Sequence, residues 1–149
     1  MMNTLYQHAT SSIASIDMPL SVKVIMIDLD GTLLSTAEDL SLAANLMLRE
    51  LGQAELPTET IASFIGKGIT RLVERTLTND IDGKPDSDLL AQALPIYNRH
   101  YAENVNINTR PYPGVLEGIK QFLQDGFHLA CITNKSEVFT LPLLEATGL

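Results

Sequence analysis

Val22-Lys23-Val24-Ile25-Met26-Ile27-Asp28-Leu29-Asp30-Gly31-Thr32-Leu33 is the stretch on which the fold turns. Residues 22 to 27 are almost wholly apolar and rich in β-branched side chains, which predicts a strand buried on both faces of a parallel sheet. Two carboxylates and an Asp-Gly turn follow where the apolar run ends. In open α/β sheets, ligands bind beyond the carboxyl ends of the strands. Asp28 and Asp30 are two positions apart, so in extended backbone they point the same way, roughly 6.5 to 7 Å apart from the strand rise. A reacting phosphorus fits between them. A plain turn accounts for Asp30 and Gly31 alone. It leaves Asp28 at the inner end of a buried strand, where a carboxylate has to be paired, metal-bound or neutralised.

Downstream, the pattern changes from period two to helical period and stays helical for some seventy residues. Leu40, Ala43, Ala44, Met47, Leu48 and Leu51 keep the i, i+3, i+4 rhythm, with Thr36 and Asp39 as a capping box and Gly52 as the stop. A second apolar face runs through Ile69, Leu72, Val73, Thr76 and Leu77. A third segment, from Asp86 to about Glu103, carries Leu89, Leu90, Ala93, Tyr97 and Tyr101. Residues 79 to 85 form a turn-rich connector. Pro95 predicts a kink or break, because proline lacks the backbone donor and clashes with the preceding turn. Thr109-Arg110-Pro111-Tyr112-Pro113-Gly114 reads as a hinge, with Pro113 pre-set for a helix whose buried face is Val115, Leu116, Ile119, Phe122 and Leu123. Asp125-Gly126 ends it.

The next strand, Phe127 to Ile132, is followed by Thr133-Asn134-Lys135. If the two strands are parallel neighbours, as the βαβ rule favours, Thr133 comes to lie beside Asp28. Its hydroxyl and the backbone N–H groups after it then suit a phosphate oxygen. The plainer reading of Thr-Asn after a strand is a helix cap.

Composition sets outer bounds. At 149 residues, 45% hydrophobic and 19% charged, the chain can bury a single core. A net charge of -8 argues against nucleic acid or an anionic membrane as partner, so an anionic substrate needs a local cation to draw it in. Residues 1 to 20 are polar and Ser/Thr-rich, with neither a basic start nor a sustained apolar run, and read as a frayed extension rather than a signal peptide or membrane span. Cys131, the single cysteine, falls in an apolar run and reads as a small core residue rather than a nucleophile. A cytoplasmic address follows by default. His8, His100 and His128 have no ligand spacing, which argues against a zinc site.

Asp28-Leu29-Asp30-Gly31-Thr32 matches the D-x-D-G-T signature of the haloacid dehalogenase superfamily. Together with the Thr-Asn-Lys string at 133 to 135, it makes the chain from about Ser21 to Leu149 resemble the bacterial phosphoglycolate phosphatase branch. The resemblance implies an α/β fold: a Rossmann-like core of parallel strands, incomplete here, at 21–35 and 109–149, and an α-helical cap at 36–108 inserted after the first strand. It implies hydrolysis of a small phosphorylated organic acid, most directly 2-phosphoglycolate. Asp28 would be the nucleophile, forming an aspartyl-phosphate. Asp30 would act as general acid and then base. Mg²⁺ would be held by the Asp28 carboxylate and the backbone carbonyl of Asp30. Gly31, Thr32, Thr133 and Asn134 would contact phosphate or substrate. So would Lys67 in Gly66-Lys67-Gly68 on the cap, for which a solvated loop lysine is the alternative.

Two departures from the family matter. Relatives continue through further strands that bring a third-motif lysine and fourth-motif acidic residues, whereas this sequence stops at Leu149, and Lys135 lies too near Thr133 to stand for that lysine. Ser35 occupies a position where relatives often have Asp. The chain therefore reads as the amino-terminal two-thirds of a phosphatase, with poor or absent magnesium affinity and turnover. A sheet of two strands also predicts marginal stability or self-association. Related capped enzymes that act on pyrophosphate, phosphonoacetaldehyde or sugar phosphates provide a second reading. A catalytically inactive remnant that binds a partner or phosphate is the third.

Overall fold

The structure is a computed structural model that describes residues 21–149, so the extension expected at 1–20 lies outside the described residues. In chain order come β1 (Val24–Ile27), β2 (Leu34–Ser35), α1 (Ala37–Glu50), α2 (Thr58–Ser63), α3 (Gly68–Thr78), α4 (Ser87–Asn104), β3 (Arg110–Pro111), α5 (Val115–Gln124), β4 (His128–Cys131) and α6 (Glu137–Thr147). β1 and β4 pair in parallel, with Val24 opposite His128 and Ile27 opposite Cys131. This is the α/β core with parallel strands that the sequence predicts, and α1 to α4 are the helical block inserted into it.

The two connections of that block run side by side. β2 and β3 pair antiparallel, with Leu34 opposite Pro111 and Ser35 opposite Arg110. Asp39, in the first turn of α1, is fully buried. Its carboxylate accepts from Asn108 N–H at 2.8 Å and Thr109 N–H at 2.9 Å. It also accepts from the Asn108 Nδ2 amide at 3.0 Å and the Thr109 hydroxyl at 2.7 Å. The capping box expected of Thr36 and Asp39 is therefore absent. Thr36 sits at the N-cap without a side-chain hydrogen bond, and Asp39 is spent on the return connection instead.

Leu40, Ala43, Ala44, Met47 and Leu48 of α1 pack with Ile61 of α2, Leu72 and Val73 of α3, and Ala93, Tyr97 and Tyr101 of α4. These are the periodic positions read from the sequence. α2 had no pattern of its own, because six residues are too few to show a period. Helix α4 begins on an Asp86 side chain that accepts from Asp88 N–H, and it runs through Pro95 without the expected break. Pro95 and Ala91, the residue four earlier whose carbonyl loses its donor, are both exposed, so water can satisfy that carbonyl.

Burial around the strands departs from expectation. β1 is not covered on both faces: Val24 and Met26 are exposed, Met26 at 66%, while Ile25 and Ile27 are half-buried. Cys131, expected in the core, is exposed as well. Helix α5 starts at Val115 after a left-handed Gly114, later than Pro113 suggested, and none of its residues is fully buried. The cause is common to all three. A sheet of two strands has one face that nothing among the described residues covers, and Leu116, Phe122 and Leu123 lie exposed with it. The covered side is a small cluster of Leu29, Leu33, Leu34 and Leu143, against which Val115 and Ile119 pack.

Candidate active site

Parallel pairing puts the carboxyl ends of β1 and β4 at one edge, and the bond from Ile132 N–H to Ile27 O at 2.9 Å extends the pairing to the threshold of Asp28 and Thr133. A cleft opens there. One wall is Asp28, Asp30, Thr133, Asn134 and Lys135, and the other is Leu40, Ile65, Gly66, Gly68, Ile69 and Leu72 from the helical block. Both carboxylates and Thr133 thus meet in one place, as their positions after the two strands predict.

Residues 28 to 34 fold tightly to achieve this. Leu29 is fully buried, and its carbonyl accepts from Thr32, Leu33 and Leu34 N–H groups, while Gly31 N–H donates to Leu34 O at 2.8 Å. Gly31 needs its positive φ of 81° for that turn. Asp28, expected to be buried, is exposed at the cleft, because the bare sheet face leaves it open to water. Gly31 lines an adjoining recess with Asp30 and Tyr112, and Thr32 is exposed; neither lines the main cleft.

Lys135 is the residue to which the sequence reading gave no role. Its side chain is only 2% exposed, and Nζ stands 3.1 Å from Asp30 Oδ1. The same ammonium donates to the Tyr101 hydroxyl of α4 at 2.8 Å and lies 4.8 Å from the centroid of that ring. Burial pushes the lysine below its ordinary value, and the Asp30 carboxylate beside it pushes back up. A lysine just before a helix N-cap is ordinarily solvated, so nothing in the local sequence marks its burial.

Asn134 and Thr133 are also engaged. Asn134 Nδ2 donates to the Gly66 carbonyl at 3.0 Å, which seats the Gly66-Lys67-Gly68 loop on the core. Thr133 Oγ1 accepts from Lys135 N–H at 3.1 Å. Lys67 itself is exposed and lines a neighbouring recess with Asn98, Asn134 and Ser136 rather than the Asp28 cleft. Tyr97, one turn before Tyr101, is fully buried with no hydrogen-bond partner for its hydroxyl, and burial pushes that hydroxyl's titration upward.

A family model described as haloacid dehalogenase-like hydrolase matches residues 25–149. The chain belongs to this family. It is 62% identical over 131 residues to a phosphoglycolate phosphatase of Nitrosospira multiformis, covering 88% of this chain and 58% of that protein. A phosphoglycolate phosphatase of Thiobacillus denitrificans is 53% identical over the same shares. Among solved structures, a predicted phosphoglycolate phosphatase from Haemophilus somnus superposes with a TM-score of 0.77 at 29% identity, covering 85% of this chain and 57% of that one. The chain thus spans somewhat under three-fifths of the length of the relatives it matches.

The donor set suits a hard divalent cation of the kind this family's chemistry implies. Asp28 presents an exposed carboxylate, whereas Asp30 Oδ1 is buried against the Lys135 ammonium at 3.1 Å, so the oxygen that Asp30 would offer is its backbone carbonyl. Mg²⁺ typically takes one or two carboxylates and keeps several waters. Among the described residues, no cluster of three or more His, Cys, Asp or Glu side chains forms, and Asp28 and Asp30 are the residues there that would hold such an ion. Cys131 nearby is held above the ordinary thiol value by desolvation and then by the charges of Asp28 and Asp30.

Proposed function

We propose that this chain carries the nucleophile, the acid/base group and the cap of a phosphate monoester hydrolase acting on 2-phosphoglycolate, with the core at 21–35 and 109–149 and the cap at 36–108. The convergence of Asp28, Asp30 and Thr133 on one cleft at the shared carboxyl edge of β1 and β4 carries the reading. The names of the relatives support the substrate.

In this reading the exposed Asp28 carboxylate attacks phosphorus, and one difficult displacement becomes two easier ones. Asp30 gives a proton to the leaving alkoxide and later takes one from the attacking water. Thr133 and the N–H groups after it receive phosphate oxygens. Asp28 and Asp30 would hold Mg²⁺, which when bound neutralises phosphate charge and polarises the phosphoryl oxygens. Apolar Leu40, Ile65, Ile69 and Leu72 roof the cleft and exclude water from the ester. The acid half of the substrate would meet Lys67, which lines the recess beside the cleft together with Asn134.

Phosphate release from 2-phosphoglycolate, pyrophosphate, phosphonoacetaldehyde and sugar phosphates, compared between the parent and D28N, tests the assignment. Preferential release from 2-phosphoglycolate that disappears in D28N supports it. Release that persists unchanged in D28N would overturn it.

A further inference from the structure

Lys135 lies where the core and the helical block meet, and each of its contacts reaches a different body. Asp30 belongs to the loop after β1, and Tyr101 to α4, the last helix of the inserted block. Asp30 and Tyr101 share no hydrogen bond, and the ammonium bridges them. We propose that Lys135 is a positioning residue that ties the Asp30 carboxylate to the cap through Tyr101, so that Asp30 is held in place only while the cap is seated.

The physical case begins with burial. An ammonium 2% exposed is retained only if its partners replace water. One of its three N–H donors goes to the Tyr101 oxygen at 2.8 Å, the Asp30 charge at 3.1 Å offsets its own, and the ring face adds a weaker attraction. Withdrawal of the cap would remove the phenol and bring water to the lysine. Asp30 would then keep a hydrated partner on a flexible stem in place of one pinned from behind. Asp30 Oδ1 has no hydrogen-bond donor of its own, so Lys135 is the only group fixing that oxygen among the described residues.

The surrounding contacts act in the same direction. Tyr101 meets Phe139 of α6 edge-on at 4.8 Å between centroids, and Asn134 holds the Gly66 carbonyl. Asn134 and Lys135 are adjacent in sequence and grip two separate parts of the block, the loop before α3 and the end of α4. Seating of the block is therefore sensed one residue away from the group that touches Asp30. The catalytic meaning of this clasp rests on the hydrolase reading of Asp30, whereas the clasp itself does not.

A double-mutant cycle tests it. D30N and Y101F, alone and together, are unfolded in urea in the parent and again in a K135M background. The account expects the pair to be non-additive in the parent, with a coupling of about tenfold in the folding equilibrium constant, or ~1.4 kcal/mol, and additive once Lys135 is gone. Additivity in the parent, or coupling that survives K135M, would overturn the proposal. Should K135M fold poorly, K135R serves as the second background. Its planar fork keeps the charge but cannot reproduce the point contact, so coupling falls by at least half. These readings come from unfolding and decide the clasp whether or not the chain hydrolyses phosphate esters. In turnover of p-nitrophenyl phosphate, Y101F lowers kcat about tenfold with KM within about twofold; an unchanged kcat would contradict a link to Asp30's chemistry.

Discussion

The Thr109 hydroxyl donates to Asp39 Oδ2 at 2.7 Å across 70 positions of sequence, and this bond closes the insertion at its base. With three further bonds from residues 108 and 109, the buried carboxylate fixes the outgoing and returning connections to each other. The D39A variant leaves those donors without their acceptor. Stability is expected to fall by about 3 kcal/mol, and urea unfolding measures it. A loss under ~1 kcal/mol would mean that the connections are held chiefly by the β2–β3 pairing.

Tyr97 offers the opposite case. Its hydroxyl is buried without a partner, so the parent already carries the cost of desolvating it. Y97F removes that cost and keeps the ring. Stability should stay within ~0.5 kcal/mol of the parent or rise by about 1 kcal/mol. A clear loss would show that the hydroxyl has a water or ligand partner.

Glu50, at the end of α1, meets Arg99 and His100 of α4. The His100 hydrogen bond, followed by the Arg99 charge, lowers its titration below the ordinary value of 4.5. A carboxylate lowered in the folded state contributes stability that is present above the unfolded value and lost as pH falls through the folded one. Thermal midpoints of the parent and E50Q should therefore differ most above pH 4.5 and converge in more acid solution. A gap that widens with acidification would reverse the sign. The group is exposed, so the gap is small and shrinks with added salt.

Gly68 begins α3 with φ of 78°, and a Cβ there would stand 3.5 Å from the Asn134 carbonyl oxygen. That distance is ordinary contact, so the backbone conformation sets the cost. G68A is expected to cost about 1–2 kcal/mol. Calorimetry of the variant reads it, and a neutral result would show that the loop can relax off the core.

Much of this architecture was legible because it rests on local patterns. The helical rhythm from Leu40 to Tyr101 recovered the buried faces of α1, α3 and α4, and the paired strand ends brought Asp28 and Thr133 together. Burial set by distant neighbours was not legible. Burial of Val24, Met26, Cys131 and the α5 face depends on what covers the sheet, and apolar residues look alike whether covered or bare. Asp39 resembled a cap because three-residue spacing says nothing of the hydrogen-bond donors that return 70 residues later. Lys135 was silent for the same reason: its partners come from the loop after β1 and from α4.

The central claim is that Asp28 is the group that bonds to phosphorus. Trifluoroberyllate with Mg²⁺ bonds to a carboxylate oxygen in the shape of an aspartyl-phosphate, and fluorine NMR reads the bound species directly. The account predicts bound-fluoride signals in the parent that vanish in D28N. The same signals in D28N would contradict it.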